Sequence, residues 1–301
     1  MRASCFIENT ERLARAVPPS GMARRPPEDW PSGGRIEFQN YSMRYQPDME
    51  LVLRDVSFVV GAGERVGVVG RTGAGKSSLT QAIMRMVEPA AGRVLIDGVD
   101  AATLDVRDLR SRISIIPQDP ALFVGTIRDN LDPRHEYTDD QVWAAIRAAQ
   151  IDHLLEKPSG VYVKQGDYEL LDPSRGRWIE GTGLAKWVCW NGSNFSAGER
   201  QLISICRALL WQRRILILDE ATANIDGATD RVIQAVLRRE FAGCTVVTIA
   251  HRLDTVMDCD RILVMDRGRV AESGAPAALL ARGGPFARLV ESMRLSHGES
   301  T

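Results

Sequence analysis

Hydrophobic and polar positions change rhythm repeatedly after residue 34. "RIEFQNYSMRY" (35–45) and "LVLRDVSFVV" (51–60) predict two strands joined by a polar turn. "ERVGVVG" predicts a short buried strand, and "KSSLTQAIMRM" after it has helical periodicity. "GRVLIDG" and "SRISIIPQDP" predict two more strands, the second ending at a proline. Residues 125–156 read as helices with breaks, whereas 157–193, which hold Trp178, Trp187 and Trp190, settle into no period. In "NFSAGERQLISICRALL" (194–210), Leu202, Ile205, Cys206 and Leu209 recur at helical spacing with Arg200, Gln201, Ser204 and Arg207 between them. Ser196 and Glu199 have capping-box spacing, so this helix is predicted to begin at Ser196. The strand "RILILDE", a helix over 227–240, the strand "CTVVTIAH", the hairpin "RILVMDRGRVAESG" and a helical tail complete the pattern.

Strands alternating with helices predict an α/β fold with a largely parallel sheet covered on both faces. The early run of strands predicts an added antiparallel layer. Residues 1–34 are rich in Arg and Pro and read as a linker, with a short helix around Thr10–Ala16.

Composition narrows the function. The chain has 301 residues, 44% hydrophobic, and 38 Lys plus Arg against 39 Asp plus Glu, a formal charge of -1. That balance argues against a nucleic-acid partner. The five cysteines (Cys5, Cys189, Cys206, Cys244 and Cys259) are scattered without a C-x-x-C, which suits a reducing compartment better than a disulfide framework or a zinc site. No apolar run is long enough to cross a bilayer and no signal-peptide stretch opens the chain, so by itself it is expected to be soluble and cytosolic.

Several stretches carry chemistry. "GRTGAGKSS" (70–78) matches G-x-x-x-x-G-K-S with a strand before it and a helix after it. Gly70, Gly73 and Gly75 would let backbone N–H groups converge on phosphate oxygens, Lys76 would neutralise the β- and γ-phosphates, and Ser77 would offer its hydroxyl to Mg²⁺. A glycine-rich turn with a surface lysine is the plain reading, and the flanking elements weigh against it. In "RILILDEATANID" (214–226), Asp219 and Glu220 emerge at the carboxyl end of a buried strand, where open α/β sheets bind ligands. Asp219 is placed to serve Mg²⁺ and Glu220 to polarise an attacking water. The bland alternative is an acidic pair capping the next helix. Two further strands deliver Gln118 and His251 to the same rim. Gln118 can bond a metal-bound water and the attacking water, and a neutral His251 can donate to a γ-phosphate oxygen or orient Glu220. Tyr45 either stacks on a base or is a half-buried strand tyrosine. The helix start at Ser196 is suited to an anion.

Together these pieces resemble the nucleotide-binding domain of an ATP-binding cassette (ABC) protein over about Arg35 to Arg294. The resemblance rests on the Walker A loop (Gly70–Ser77), the Q-loop (Gln118), the signature "FSAGE" (Phe195–Glu199), Walker B (Ile215–Asp219) with Glu220, the D-loop "ANID" (Ala223–Asp226) and the H-loop (His251). The wording further resembles the C-terminal cassette of subfamily C, the multidrug-resistance-associated exporters.

The resemblance implies a P-loop NTPase (RecA-like) core with an antiparallel β subdomain and a helical signature subdomain at about 119–212, carrying an irregular insertion at 157–193. The cassette would occupy 35–295, with a tail at 296–301 and a linker before it from a transmembrane domain. It implies ATP and Mg²⁺ as ligands. Tyr45, Gly70, Thr72, Gly73, Ala74, Gly75, Lys76, Ser77 and Ser78 would hold the nucleotide, and Ser77, Gln118 and Asp219 the metal. Glu220, His251 and Gln118 would serve hydrolysis. Ser196, Gly198 and Glu199 would contact the ATP of a second cassette in a head-to-tail dimer.

The implied activity is an Mg²⁺-dependent ATPase that energises export, held at the cytosolic face of a membrane through transmembrane domains of the same or a separate chain. A regulatory ATP-binding module of the channel-regulator type is the alternative; soluble family members acting on DNA or ribosomes fit less well. Phe195, Glu199 and Asn224 depart from the usual leucine, glutamine and D-loop residue. The 157–193 stretch is longer than usual, either a surface insertion or a Trp-bearing contact with a partner.

Overall fold

A computed structural model describes residues 25–156, 159–163, 177–221, 225–250 and 253–296. The predicted helix at Thr10–Ala16, the D-loop residues Ala223 and Asn224, and His251 lie outside the described residues. The strands in chain order are β1 (Ile36–Met43), β2 (Leu53–Val60), β3 (Arg65–Gly70), β4 (Ala91–Ile96), β5 (Val99–Asp100), β6 (Ile113–Ile116), β7 (Gly125–Thr126), β8 (Ser159–Val163), β9 (Arg177–Gly181), β10 (Trp187–Val188), β11 (Ile215–Asp219), β12 (Thr245–Ile249), β13 (Arg261–Asp266) and β14 (Arg269–Gly274). The helices are α1 (Lys76–Ile83), α2 (Val106–Ser111), α3 (Ile127–Leu131), α4 (Asp139–Ala148), α5 (Asp152–Glu156), α6 (Ala197–Trp211), α7 (Gly227–Glu240), α8 (Leu253–Met257), α9 (Pro276–Arg282) and α10 (Pro285–Ser296).

The central sheet has six strands in the order β14-β13-β3-β12-β11-β6. Its strands run parallel except at the β13–β14 hairpin. β3, β12, β11 and β6 therefore end on one rim. A second, antiparallel sheet has the order β2-β1-β4-β5. Strand alternation decides which core each residue enters. Ile215 and Ile217 pack with Val66, Val68, Val247 and Ile249 against the antiparallel sheet and α1. Leu216 and Leu218 point the other way, into a core shared with α3, α4, α6 and α7. Each large aliphatic side chain buried in this way stabilises the fold by about 1.5–3 kcal/mol.

Three local readings of the sequence need correction. Packing begins before Arg35. Trp30, 4% exposed, donates its indole N–H to the Ile96 carbonyl, 2.9 Å away. The Asp97 carboxylate accepts the backbone N–H groups of Gly33, Gly34 and Arg35 at 2.9, 3.0 and 2.7 Å. The α6 helix is not polar along one clean stripe, since Gln201 (1% exposed) and Ser204 are buried. Helices lie on both sides of it, so an extra face is covered. The aperiodic 157–193 stretch contains an antiparallel hairpin, β8 paired with β9 with Tyr162 opposite Trp178, next to the β7–β10 pair.

Candidate nucleotide site at the sheet rim

The loop between β3 and α1 turns on glycine. Gly75 is the N-cap of α1 at φ +99°, and no side chain caps the helix, so its first N–H groups point out of the helix end. A Cβ at Gly75 would crowd Leu53 Cδ2 (3.0 Å) and the Val52 carbonyl (3.2 Å), whereas around Gly73 there is open space. The β13–β14 turn supports the loop from behind, with Gly268 N–H donating to the Ala74 carbonyl at 3.0 Å. Thr72, Gly73 and Ser77 are exposed; Ala74, Gly75 and Ser78 are buried.

Lys76 is 5% exposed, and its ammonium donates to the carbonyls of Gly70 (2.9 Å) and Arg71 (3.3 Å). Burial pushes its pKa below the ordinary lysine range, and the negative charges of Glu220 and Asp219 act in the opposite direction. The acidic pair and the lysine therefore share one electrostatic environment, although they come from different strands. Tyr45 stands beyond the end of β1, 44% exposed, its hydroxyl 2.8 Å from Ser78 Oγ. It is neither a strand residue nor detached from the loop.

Asp219 closes β11 level with Ile249 of β12. Glu220 then turns into the left-handed region at φ +50°, and its N–H donates to the Ile249 carbonyl at 2.9 Å. Gln118 lies two residues past β6 and is exposed. The neighbouring Pro117 carbonyl accepts from Gln201 Nε2 of α6 at 3.1 Å. A cavity of about 280 Å³ separates Gln118 from Ala197, Arg200 and Ala221. Gln201, set among the apolar residues of α6, thus ties that helix to the segment that carries Gln118.

Ser196 caps α6. Its Oγ accepts from Glu199 N–H at 3.2 Å, and the Glu199 carboxylate accepts from Ser196 N–H at 2.6 Å. Accepting a bond leaves the Ser196 O–H proton free to donate elsewhere. Gly198 is buried, and a Cβ there would stand 2.5 Å from Thr229 Cγ2 of α7. The residue is thus required for helix packing, whatever else it contacts. Phe195 is buried beneath the ammonium of Lys186, 5.6 Å from the ring centroid. This turn belongs to the core on one face of the central sheet, and Leu79 of α1 to the core on the other.

The residues present suit a nucleoside triphosphate with a divalent cation. The loop offers backbone N–H donors, an ammonium and an exposed hydroxyl. No group of three or more His, Cys, Asp or Glu among the described residues forms a self-contained metal cage. Ser77 and Asp219 would supply only part of a coordination shell, as expected when phosphate oxygens and water supply the rest.

A family model described as "ABC transporter" matches residues 53–223. ATP-binding cassette sub-family C member 2 of Rattus norvegicus is 47% identical over 263 residues, covering 87% of this chain and 16% of the relative. Sub-family C member 3 of Homo sapiens is 48% identical over 263 residues, with the same coverage. Multidrug resistance protein mrp-7 of Caenorhabditis elegans is 47% identical over 269 residues, or 89% and 16%. The chain thus spans about a sixth of the length of these relatives. Among solved structures, one described as a bacterial Atm1-family ABC exporter with ATP bound aligns with TM-score 0.72 and 34% identity, covering 86% of this chain and 42% of that one.

Proposed function

The chain belongs to the ABC transporter family, and from that premise we propose that it is an ATP-hydrolysing cassette that energises transport through membrane-spanning partners. The observation that carries this reading is the convergence of Lys76 with Asp219 and Glu220 on one sheet rim. Phosphoryl transfer asks a protein mainly for positioning and charge stabilisation, and these groups supply both. The loop N–H groups and Lys76 hold the phosphates, with the ammonium leaving the Gly70 and Arg71 carbonyls for phosphate oxygens. Glu220 orients and deprotonates the attacking water. Tyr45 offers its ring to the base while its hydroxyl stays on Ser78. Mg²⁺, when bound by Ser77 and Asp219 with Gln118 nearby, would neutralise phosphate charge. His251, two residues past β12 in the chain, is proposed to serve the γ-phosphate.

The capped turn at Ser196 sits with the core of the opposite sheet face, so it is proposed to serve the nucleotide of a second cassette. ATP would then join two cassettes, and hydrolysis would release them, a switch that works because ATP binds the closed pair better than the open one. An antiparallel β subdomain and a helical signature subdomain at about 119–212 belong to the same proposal, in a cassette whose packing already includes Trp30. No described helix is long and apolar enough to cross a membrane; attachment at the cytosolic face would come through transmembrane domains that the chain itself or a partner provides. The presence of Glu220 favours turnover over a purely regulatory role. Steady-state ATP hydrolysis by the purified chain with Mg²⁺ tests the reading: Lys76→Ala and Glu220→Gln should both abolish it, and activity surviving both changes would refute it.

A further inference from the structure

The chain that carries Gln118 is fastened to α6 at two points. The first is the Gln201 bond to the Pro117 carbonyl. The second is Arg207, which donates through Nη1 to the Ala121 carbonyl (2.8 Å), through Nε to the Asn130 carbonyl (2.6 Å) and through Nη2 to Asn130 Oδ1 (3.0 Å). Asn130, 3% exposed in α3, completes the joint. Its Oδ1 also accepts from Phe123 N–H at 2.9 Å, and its Nδ2 donates to the carbonyls of Phe123 (2.7 Å) and Thr126 (3.0 Å). Burial pushes the Arg207 pKa down to about 10, so the group is still a cation near neutral pH. Its three acceptors are amide oxygens, so the guanidinium holds chain in place rather than balancing a carboxylate. Gln201 and Arg207 are six positions apart, about 9 Å along α6. Gln118 and Asp119 lie between the two fastenings, exposed, and border the cavity of about 280 Å³. The span that carries Gln118 therefore takes its course from one rigid helix.

We propose that Arg207 and Gln201 are positioning residues for the metal side of the nucleotide site, setting where Gln118 stands through the two ends of its span. The proposal rests on the reading that Gln118 approaches Mg²⁺. Arginine suits the role because its planar group bonds two segments at once, which an ammonium on a flexible stem does not reproduce. Groups around a metal work only within a narrow range of positions, and the supports behind them share that demand. α6 begins at the Ser196 turn, so a shift of this helix carries the turn and Gln118 together.

The test is calorimetric titration of the 301-residue chain with adenylyl imidodiphosphate, a non-hydrolysable ATP analogue, once with Mg²⁺ and once with EDTA. The parent should bind more tightly with Mg²⁺. Arg207→Lys and Gln201→Leu should each cut that gain by about threefold or more, as loss of an outer support of a metal site does, and leave the affinity in EDTA within about twofold. Gln118→Ala should cut the gain as well, and adding Arg207→Lys to it should cut it no further. Amide hydrogen exchange at residues 117–126 should quicken in Arg207→Lys more than in β11. An affinity loss of equal size with and without Mg²⁺ would make both residues supports of the fold alone and overturn the proposal. Unchanged exchange at 117–126, or losses that add in the double variant, would also overturn it. A gain lost in Gln118→Ala but intact in both α6 variants overturns the proposal alone. A gain intact in Gln118→Ala, or absent from the parent, overturns the placement of Gln118 at the metal and the proposal with it.

Discussion

Glu220 donates its backbone N–H to the carbonyl of Ile249, 2.9 Å away on the neighbouring strand, while its own φ stands at +50°. A non-glycine residue held there costs on the order of 1 kcal/mol or more and persists because its surroundings impose it. The bond fixes the backbone from which the Glu220 side chain leaves, just past the ends of β11 and β12. Glu220→Gln keeps the backbone and the side-chain shape and removes the base. ATP binding should persist while turnover falls by about 100-fold or more. Nucleotide binding and single-turnover hydrolysis measured on the same preparation check this; turnover within about threefold of the parent chain would remove Glu220 from the role of base.

Tyr45 joins the loop through its hydroxyl and faces solvent with its ring. Tyr45→Phe should lower stability by about 0.5–1.5 kcal/mol through loss of the Ser78 bond, with ATP affinity little changed. Tyr45→Ala should weaken ATP binding by about fivefold or more, the scale of an aromatic stacking contact. Titration with a fluorescent ATP analogue separates the two. Equal affinity in all three proteins would show that the ring does not touch the base.

The close approach of Gly198 to Thr229 allows packing and phosphate contact to be separated. Gly198→Ala drives a methyl into Thr229 Cγ2, with a cost of about 1–3 kcal/mol. Adding Thr229→Ser deletes that Cγ2 and should restore most of the thermal stability. If Gly198 also approaches the partner's nucleotide, ATP hydrolysis by the double variant stays low despite the restored fold. Full recovery of both would leave Gly198 a packing residue only.

The Asp97 anchor should be measurable in the folded state. Asp97→Ala strips the acceptor from three backbone N–H groups, those of Gly33 and Gly34, where the bonds are part-buried, and of Arg35, where it is exposed, and losing such bonds costs about 0.5–1.5 kcal/mol each. The urea midpoint should fall accordingly, and hydrogen exchange should accelerate at residues 30–35 more than in β11. An unchanged midpoint would mean that Trp30 alone holds the segment.

Acid sensitivity should be traceable to Asp132. Burial alone would raise its pKa, but the Arg128 guanidinium and the backbone N–H groups of Tyr137 and Glu136 outweigh that and hold it below the usual range. A carboxyl depressed in the folded state stabilises the fold above its unfolded pKa. That contribution is lost as the pH falls through the folded value. Thermal midpoints from about pH 6 to about pH 3 should decline less steeply for Asp132→Asn than for the parent. Parallel curves would exclude this carboxyl as a source of the acid slope.

Elements defined by local chemistry were legible in the sequence. The buried strand of Ile215–Leu218, the glycine turn before Lys76 and the Ser196–Glu199 capping box all depend on residues within a few positions of one another. What escaped depends on distant partners. Trp30 becomes a core residue only because Ile96, 66 positions away, presents a carbonyl to it. Gln201 is buried because Pro117, 84 positions away, accepts its amide. The β8–β9 strands gain their form from each other, with Tyr162 in register with Trp178, and neither has a distinct periodicity of its own. The rim could be anticipated from motif order, but the left-handed turn at Glu220 is set by its bond to Ile249 and leaves no mark in composition.

The most direct measurement mixes two inactive forms of the chain, Lys76→Ala and Ser196→Arg. The first retains an intact serine turn and the second an intact phosphate loop. If ATP is held between the loop of one cassette and the turn of another, an equimolar mixture at high protein concentration regains hydrolysis, up to about a quarter of the parent rate when pairing is random and each mixed pair has one complete site. A mixture no more active than the sum of its parts, under conditions where the parent chain hydrolyses ATP, would contradict the shared site.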